Sequence, residues 1–457
     1  MTATNSPTRQ FVRSSGVMVL LYAGSTGLGF LVGVVLARLL GAEGYGTYAL
    51  AMTTATLVGT VTEFGLPVLA MRETGAARAS SAWGAVRGLI HWADRAILAL
   101  SALLIAATWL GYTLFAQHQS SAYLATLLWA VALVPFVALG KVRSAVLLAL
   151  DRVASSQVPV MILRPALFLA GCLVLWLVTG GLSPQSAMAA QAGGAALAML
   201  AIVLLYRRFR PPELSDAKPQ YAVRHWLAAC LPMGLTEGLR LLQGQLALLL
   251  VGFFATAAQA GLYRVADAVT QITALLASVA GTAATPLFAR LWNAGDRAGL
   301  ERVAVLSALT MFGGTLLLGL PLALLGDWIF PQVFGAEFAG SVPVFRVLWG
   351  GTVIFSGFGL CLALANMTGH HVLATQSFGV IALSNLALGA VLVPRFGAVG
   401  GALASTAGTF AGSAWCTWRL YHATGLNASI FNAHAVPLAL AALRDTMLRL
   451  RGQGESR

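Results

Sequence analysis

The sequence predicts an all-α polytopic membrane protein of about twelve transmembrane helices in two pseudo-symmetric six-helix bundles, and three observations predict it. Hydrophobic residues make up 58% of the chain and charged residues only 9%, whereas soluble domains carry charge on roughly a quarter of their residues. Apolar runs of spanning length follow one another from Gly16 almost to the C terminus. A stretch near the N terminus also returns, in weaker form, about 215 residues later.

Taken in order at about 20 apolar residues per crossing, the predicted spans are 14–40, 46–70, 90–114, 121–140, 156–180 and 186–206. A second set follows at 226–253, 260–288, 303–330, 341–365, 372–393 and 397–421. The first run, Gly16 to Leu40, is long enough to span and reads as a retained helix rather than a cleaved signal. Between the sets, Arg207-Arg208-Phe209-Arg210-Pro211-Pro212-Glu213 onward to Arg224 is the longest charged stretch, and its paired prolines suit a non-helical connection. The expected organisation is therefore an N-terminal bundle (1–206), a cytoplasmic linker (207–225), a C-terminal bundle (226–421) and a cytoplasmic basic tail (422–457). In that tail, 436–443 is too short to span and is followed by Arg444, Arg449 and Arg451, the pattern of an interfacial amphipathic helix.

The chain has 28 Lys and Arg against 15 Asp and Glu. In a soluble protein that balance would suggest nucleic acid; here the basic residues cluster in short loops on one side, and the positive-inside rule puts both termini in the cytoplasm. Six spans per set give the two halves one orientation, hence a pseudo-two-fold axis along the membrane normal. The repeat agrees: Gly46-Thr47-Tyr48 is answered by Gly261-Leu262-Tyr263, and Pro67 to Arg72 by Pro286-Leu287-Phe288-Ala289-Arg290. In transporters built this way the substrate site lies between the repeats.

Several chemistries are excluded. The cysteines Cys172, Cys230, Cys361 and Cys416 stand singly in apolar runs, without CxxC pairs or metal-like spacing to histidine. No P-loop is present, and the glycine-rich stretches lie within spans, where close helix packing explains them. The expectation is a protein with no metal, no cofactor and no catalytic residue. A glycosyltransferase or polymerase would need a substantial outside loop with placed carboxylates, and the outside loops are short.

Charge within the spans is the functional signal, because an ionised side chain at the bilayer centre costs roughly 2.5–3.5 kcal/mol on insertion scales and must face protein or water. The candidates are Glu63, Asp94, Arg95, Arg164, Glu237, Arg240, Arg264, Asp267 and Arg346. Thr53, Thr56, Thr60 and Glu63 step along one face of the second span; Arg264, Asp267, Gln271, Ser278, Thr282 and Thr285 do so along the eighth. Two readings are open: a polar stripe lining a wet cavity, or interhelical glue with Glu237–Arg240 and Arg264–Asp267 as self-neutralising (i, i+3) pairs. Arg164 and Arg346 have no carboxylate at helical spacing, which weakens the second reading for them. Arg95, near a boundary with His91 and Arg87, reads as snorkelling. Arginine dominates these cations, and its planar fork matches a phosphate or diphosphate, so the spans favour an anion.

Ala37-Arg38-Leu39-Leu40-Gly41-Ala42-Glu43-Gly44-Tyr45-Gly46-Thr47-Tyr48, with Phe64-Gly65-Leu66 and Arg72, resembles the N-terminal signature of Wzx-type polysaccharide biosynthesis flippases. These belong to the multidrug/oligosaccharidyl-lipid/polysaccharide (MOP) exporter superfamily. Val393-Pro394-Arg395-Phe396-Gly397-Ala398-Val399-Gly400-Gly401-Ala402 is similar to the start of that family's last core helix. The resemblance implies a MATE-like, V-shaped pair of bundles that alternate access to a cationic central cavity. The cavity would take a polyprenyl-diphosphate-linked oligosaccharide such as an O-antigen, capsule or exopolysaccharide repeat unit. It touches Glu63, Glu237, Arg240, Arg264 and Asp267, and sets Arg38, Gly41, Gly46 and Arg72 at signature positions; Gln271 is a candidate from the polar stripe alone. It further implies a bacterial inner membrane, and it admits a coupling proton or sodium ion and a polysaccharide polymerase as partners. The rivals are a cation-coupled multidrug exporter, which would want a carboxylate-dominated cavity, and a lipid II flippase.

Overall fold

With no water in the hydrocarbon to satisfy backbone groups, helices are the natural spanning solution for such runs. The computed structural model describes residues 7–115, 121–426 and 429–430, and among them it contains helices and turns without a strand. In chain order these are α1 (Pro7–Glu63), α2 (Leu66–Ser80), α3 (Trp83–Phe115), α4 (Ser121–Ala132), α5 (Val134–Ala149) and α6 (Val153–Val158). Next come α7 (Arg164–Thr179), α8 (Pro184–Phe209), α9 (Pro212–Asp216), α10 (Val223–Phe254), α11 (Ala257–Thr273) and α12 (Leu275–Asn293). The last are α13 (Arg297–Leu324), α14 (Gly326–Phe334), α15 (Ser341–Gly357), α16 (Cys361–Met367) and α17 (His371–Thr424). The segment expected to form the interfacial helix, 436–443, lies outside the described residues.

Ten helical stretches are long and apolar enough to cross a membrane. Two are double length, Leu20–Ser80 with 61 residues and Val372–Thr424 with 53, roughly 80–90 Å of helix against about 30 Å of hydrocarbon. Each is broken at a glycine: Gly41 (φ 67°, ψ −179°) in α1 and Gly397 (φ 54°, ψ −131°) in α17. An L side chain is costly at such dihedrals. Each double stretch therefore supplies two crossings, in keeping with the expected twelve.

Several boundaries differ from the sequence reading. The expected eighth span is split, α11 ending at Thr273 and α12 starting at Leu275, so Arg264, Asp267 and Gln271 stand on a different helix from Ser278, Thr282 and Thr285. The fourth span does not stop at Gly140, because the apolar run resumes after Lys141 and Arg143, and α5 continues to Ala149. The linker is not wholly non-helical: Pro212 opens α9, at a position where its missing N–H is no loss. The linker then lies on the start of α3, where the Gln220 N–H donates to the Gly84 carbonyl at 2.9 Å. A Cβ on Gly88 would overlap the Gln220 carbonyl, so glycine there permits the approach.

The chain divides into two packed units, Met1–Gly252 with Thr256–Gly261, and Phe253–Ala255 with Leu262–Arg457. The core of the first gathers Leu69, Leu89, Ile97, Leu147, Leu214 and Trp226 from α2, α3, α5, α9 and α10. That of the second gathers Phe288, Leu300, Cys361, Cys416 and Leu420. Within the first unit the repeat glycines meet: a Cβ on Gly46 would overlap the Ala257 carbonyl, and one on Gly261 the Ala42 carbonyl. Backbone lies directly on backbone there.

Candidate functional site: paired and unpaired charges within the spans

Glu63 ends the long first helix, next to the left-handed residues Phe64 (φ 36°) and Gly65 (φ 75°) that turn the chain into α2. Its carboxylate is 14% exposed and meets the Lys141 ammonium of α5 at 2.8 Å. The threonines that lead to it are satisfied too. Thr56 and Thr60 donate to the carbonyls four residues earlier on their own helix, and Thr53 donates to Gln245 Oε1 of α10 at 3.2 Å. Much of the polar stripe on this span is therefore structural.

Arg164 stands differently. Residues Pro159–Leu163 form a π-helical turn, a widened segment frequent at functional positions, and α7 starts at Arg164 with Pro165 behind it. Tyr48 of α1 stacks on Phe168 one turn further on (centroids 5.9 Å apart), which fixes α7 against α1. Arg164 and Lys141 line one small cavity of about 20 Å³ with Phe136, Gly140, Ala198 and Ile202, room for about one water. Lys141 has a carboxylate partner; among the described residues none is in ion-pair contact with Arg164.

The remaining candidates form local pairs. Arg143 binds Asp94 of α3 through both terminal nitrogens, at 3.0 and 2.7 Å, while Arg95 beside it is exposed. On α10, Arg240 grips Glu237 at 2.9 and 2.6 Å, with both side chains well exposed. In the second unit Arg264 meets Asp267 at 2.9 Å, and the Gln271 amide donates to the same carboxylate oxygen at 3.0 Å. Arg346 has a partner that its own helix does not supply: it binds Asp327 of α14 at 2.7 Å and the Ala323 carbonyl at 2.9 Å. It thus ties the first turns of α15 to the first turn of α14, which carries Asp327.

At the signature positions, Arg38 is exposed one turn before the Gly41 break, Gly46 makes the close backbone crossing, and Arg72 pairs with Glu73 at 2.9 Å. Sequence reasoning missed Lys141 and Arg143 as intramembrane partners. The signal was the apolar Ser-Ala-Val-Leu-Leu-Ala-Leu that follows them, which extends the helix past both cations. Among the described residues no three His, Cys, Asp or Glu side chains gather as a metal site would require.

This helical architecture, with broken double-length helices and charges within its spans, has the fold of solved membrane transporters. The chain is similar to the lipid II flippase MurJ in an inward closed conformation, with TM-score 0.73 and 16% identity over 93% of this chain and 91% of that one. It is also similar to an inward-facing multidrug resistance MATE transporter (TM-score 0.69, 14% identity, 87% and 95% covered). A third likeness is a MOP transporter from Pyrococcus furiosus whose structure is described by the reverse polarity of its binding pocket (TM-score 0.58, 16% identity, 91% and 96% covered). At such identities the likeness is one of fold. No curated protein matches the chain. The model of the polysaccharide biosynthesis protein family matches residues 11–292, well over half of the sequence, and the chain belongs to that family.

Proposed function

We propose that the protein is a secondary transporter that flips a polyprenyl-diphosphate-linked oligosaccharide across the bacterial inner membrane, with Arg164 as a contact for the diphosphate. Arg164 carries this reading. A guanidinium inside a span that, among the described residues, is in ion-pair contact with no carboxylate, its neighbour Glu63 being bound to Lys141, is stabilised when an anion arrives. Membership of a polysaccharide biosynthesis family supports a lipid-linked glycan as that anion's bearer.

Arg240 of the first unit and Arg264 of the second are separate candidates in this proposal: each would exchange the carboxylate on its own helix for a phosphate, Gln271 retaining Asp267 in the second case. Arg346 drops in rank because Asp327 and the Ala323 carbonyl already satisfy it. A cation-coupled drug exporter is disfavoured on the same geometry: Glu63, Glu237 and Asp267 are each bound to a Lys or Arg. The halves 1–206 and 226–421, both termini in the cytoplasm, and a proton or sodium ion as driver belong to the proposal, as does delivery to a polysaccharide polymerase.

The test is complementation by variants as the only copy, with lipid-linked oligosaccharide measured per unit of membrane protein. Arg164→Gln is expected to accumulate lipid-linked oligosaccharide at wild-type abundance, and Arg164→Lys, which keeps charge but loses the fork, to accumulate less. Full activity of Arg164→Gln would remove the contact. Accumulation of peptidoglycan precursor instead of oligosaccharide would identify lipid II as the substrate.

A further inference from the structure

A second cationic site lies wholly in the first unit and is independent of the transport reading. A cavity of about 210 Å³ is lined by Arg87, His91, Asp94, Arg143, Tyr206, Arg207 and Arg210 among others. It lies toward helix ends, near the start of α3 and the ends of α5 and α8, where the expected topology puts the cytoplasmic headgroups. Four guanidinium groups surround one carboxylate, and that carboxylate is already taken by both terminal nitrogens of Arg143.

The other arginines are held in place without being neutralised. One terminal nitrogen of Arg87 donates to the Ser215 and Ala217 carbonyls, and among the described residues Arg87 is in no ion pair. Arg210 stacks on the Tyr206 ring at 5.9 Å. Arg207 is exposed and is in no ion pair among the described residues. Neutral backbone and an aromatic face orient a cation but do not cancel it, so the cavity suits an anion of several oxygens.

The outer face of α8 indicates where that anion comes from. Leu197, Leu200 and Leu204 are each about half exposed, and at spacings of three and four they form one stripe that runs up to Arg207. Acyl chains lying along that stripe bring a headgroup to the cavity, which a soluble ion would reach without using it. We propose that this cavity binds the phosphate of an anionic glycerolipid headgroup, with Arg207 and Arg210 as the exchangeable contacts and Arg87 and Arg143 as fixed ones.

The probes are phosphatidylglycerol, phosphatidylcholine and inorganic phosphate, each added to the delipidated full-length protein in detergent. Lipid retention is read by native mass spectrometry and stability by melting temperature. Phosphatidylglycerol is expected to be retained and to raise the melting temperature, and phosphatidylcholine to do neither. Arg207→Gln with Arg210→Gln removes two charge-assisted contacts and should lower phosphatidylglycerol retention about tenfold or more, while melting without lipid stays at the wild-type value. The matching Lys pair should fall between. Equal retention by wild type and the Gln pair, or equal retention of the two lipids, overturns the site. If inorganic phosphate at matched concentration stabilises as much as phosphatidylglycerol, the ligand is a free anion and the lipid assignment fails.

Discussion

At the scale of single residues, each intramembrane charge poses the same question: a pair that exists to neutralise itself, or a contact waiting for substrate. The Glu63–Lys141 pair separates these cleanly because its partners come from different helices. Glu63→Gln should lower membrane abundance, at a cost of about 1–3 kcal/mol; Lys141 is 42% exposed, which keeps this below the roughly 3–5 kcal/mol of a fully buried pair. Glu63→Gln with Lys141→Met should recover that abundance, measured by quantitative blotting of membranes; failure to recover would mean that one of the two groups has another partner. For Arg264 and Asp267, the double variant Arg264→Gln, Asp267→Asn should be abundant but inactive if Arg264 meets substrate, and rescue of transport in that variant would reduce the pair to structural glue. Both (i, i+3) pairs were legible in the sequence because helical spacing alone brings their partners together. The partners of Glu63, Asp94 and Arg346 were not: Lys141, Arg143 and Asp327 lie 78, 49 and 19 residues away, and only tertiary packing joins them.

At the scale of elements, the glycines of the signature explain what the apolar pattern could not. Hydropathy placed nearly every crossing, since the length of an apolar run is set by bilayer thickness. It misjudged the end of α5, because two cations followed by more apolar sequence look like a loop until their carboxylates are known. The breaks were legible only as gaps between apolar runs, with the mechanism hidden in backbone dihedrals. Gly41→Ala forces an L residue into its φ 67°, ψ −179° conformation and should cost about 1–3 kcal/mol, seen as a lowered melting temperature of the purified protein. Gly46→Val should be worse for a different reason: its side chain has to displace the Ala257 carbonyl, so α1 and the start of α11 must separate. Reversion by a second small substitution is not expected, since backbone and not a side chain is the obstacle. If Gly46→Val keeps wild-type stability and transport, the close crossing is unimportant to either.

At the scale of the whole molecule, the count of crossings and the sidedness of basic residues fix one testable statement. Twelve crossings in two sets of six require the chain to return to its starting side after Phe209 and again near Thr424. Arg207, Arg208 and Arg210 then lie on the side that holds Arg72, Arg78, Arg87 and Arg152, which the positive-inside rule predicts to be the cytoplasm. A ten-crossing alternative, in which Leu20–Ser80 and Val372–Thr424 each cross once, would need helices nearly three times the length that the hydrocarbon accepts. It would also turn the segment between α1 and α3 to the opposite face. Reporters that are active on only one side of the membrane distinguish these arrangements. Fusions after Arg210 and Gly425 should report cytoplasm, and one after Gly181, in the turn between α7 and α8, should report the outside. A fusion at Ser81, between α2 and α3, is the decisive one: cytoplasmic signal requires that Gly41 divide two crossings, whereas an external signal would merge α1 into a single span and remove the two-times-six repeat on which the assignment of equivalent halves depends.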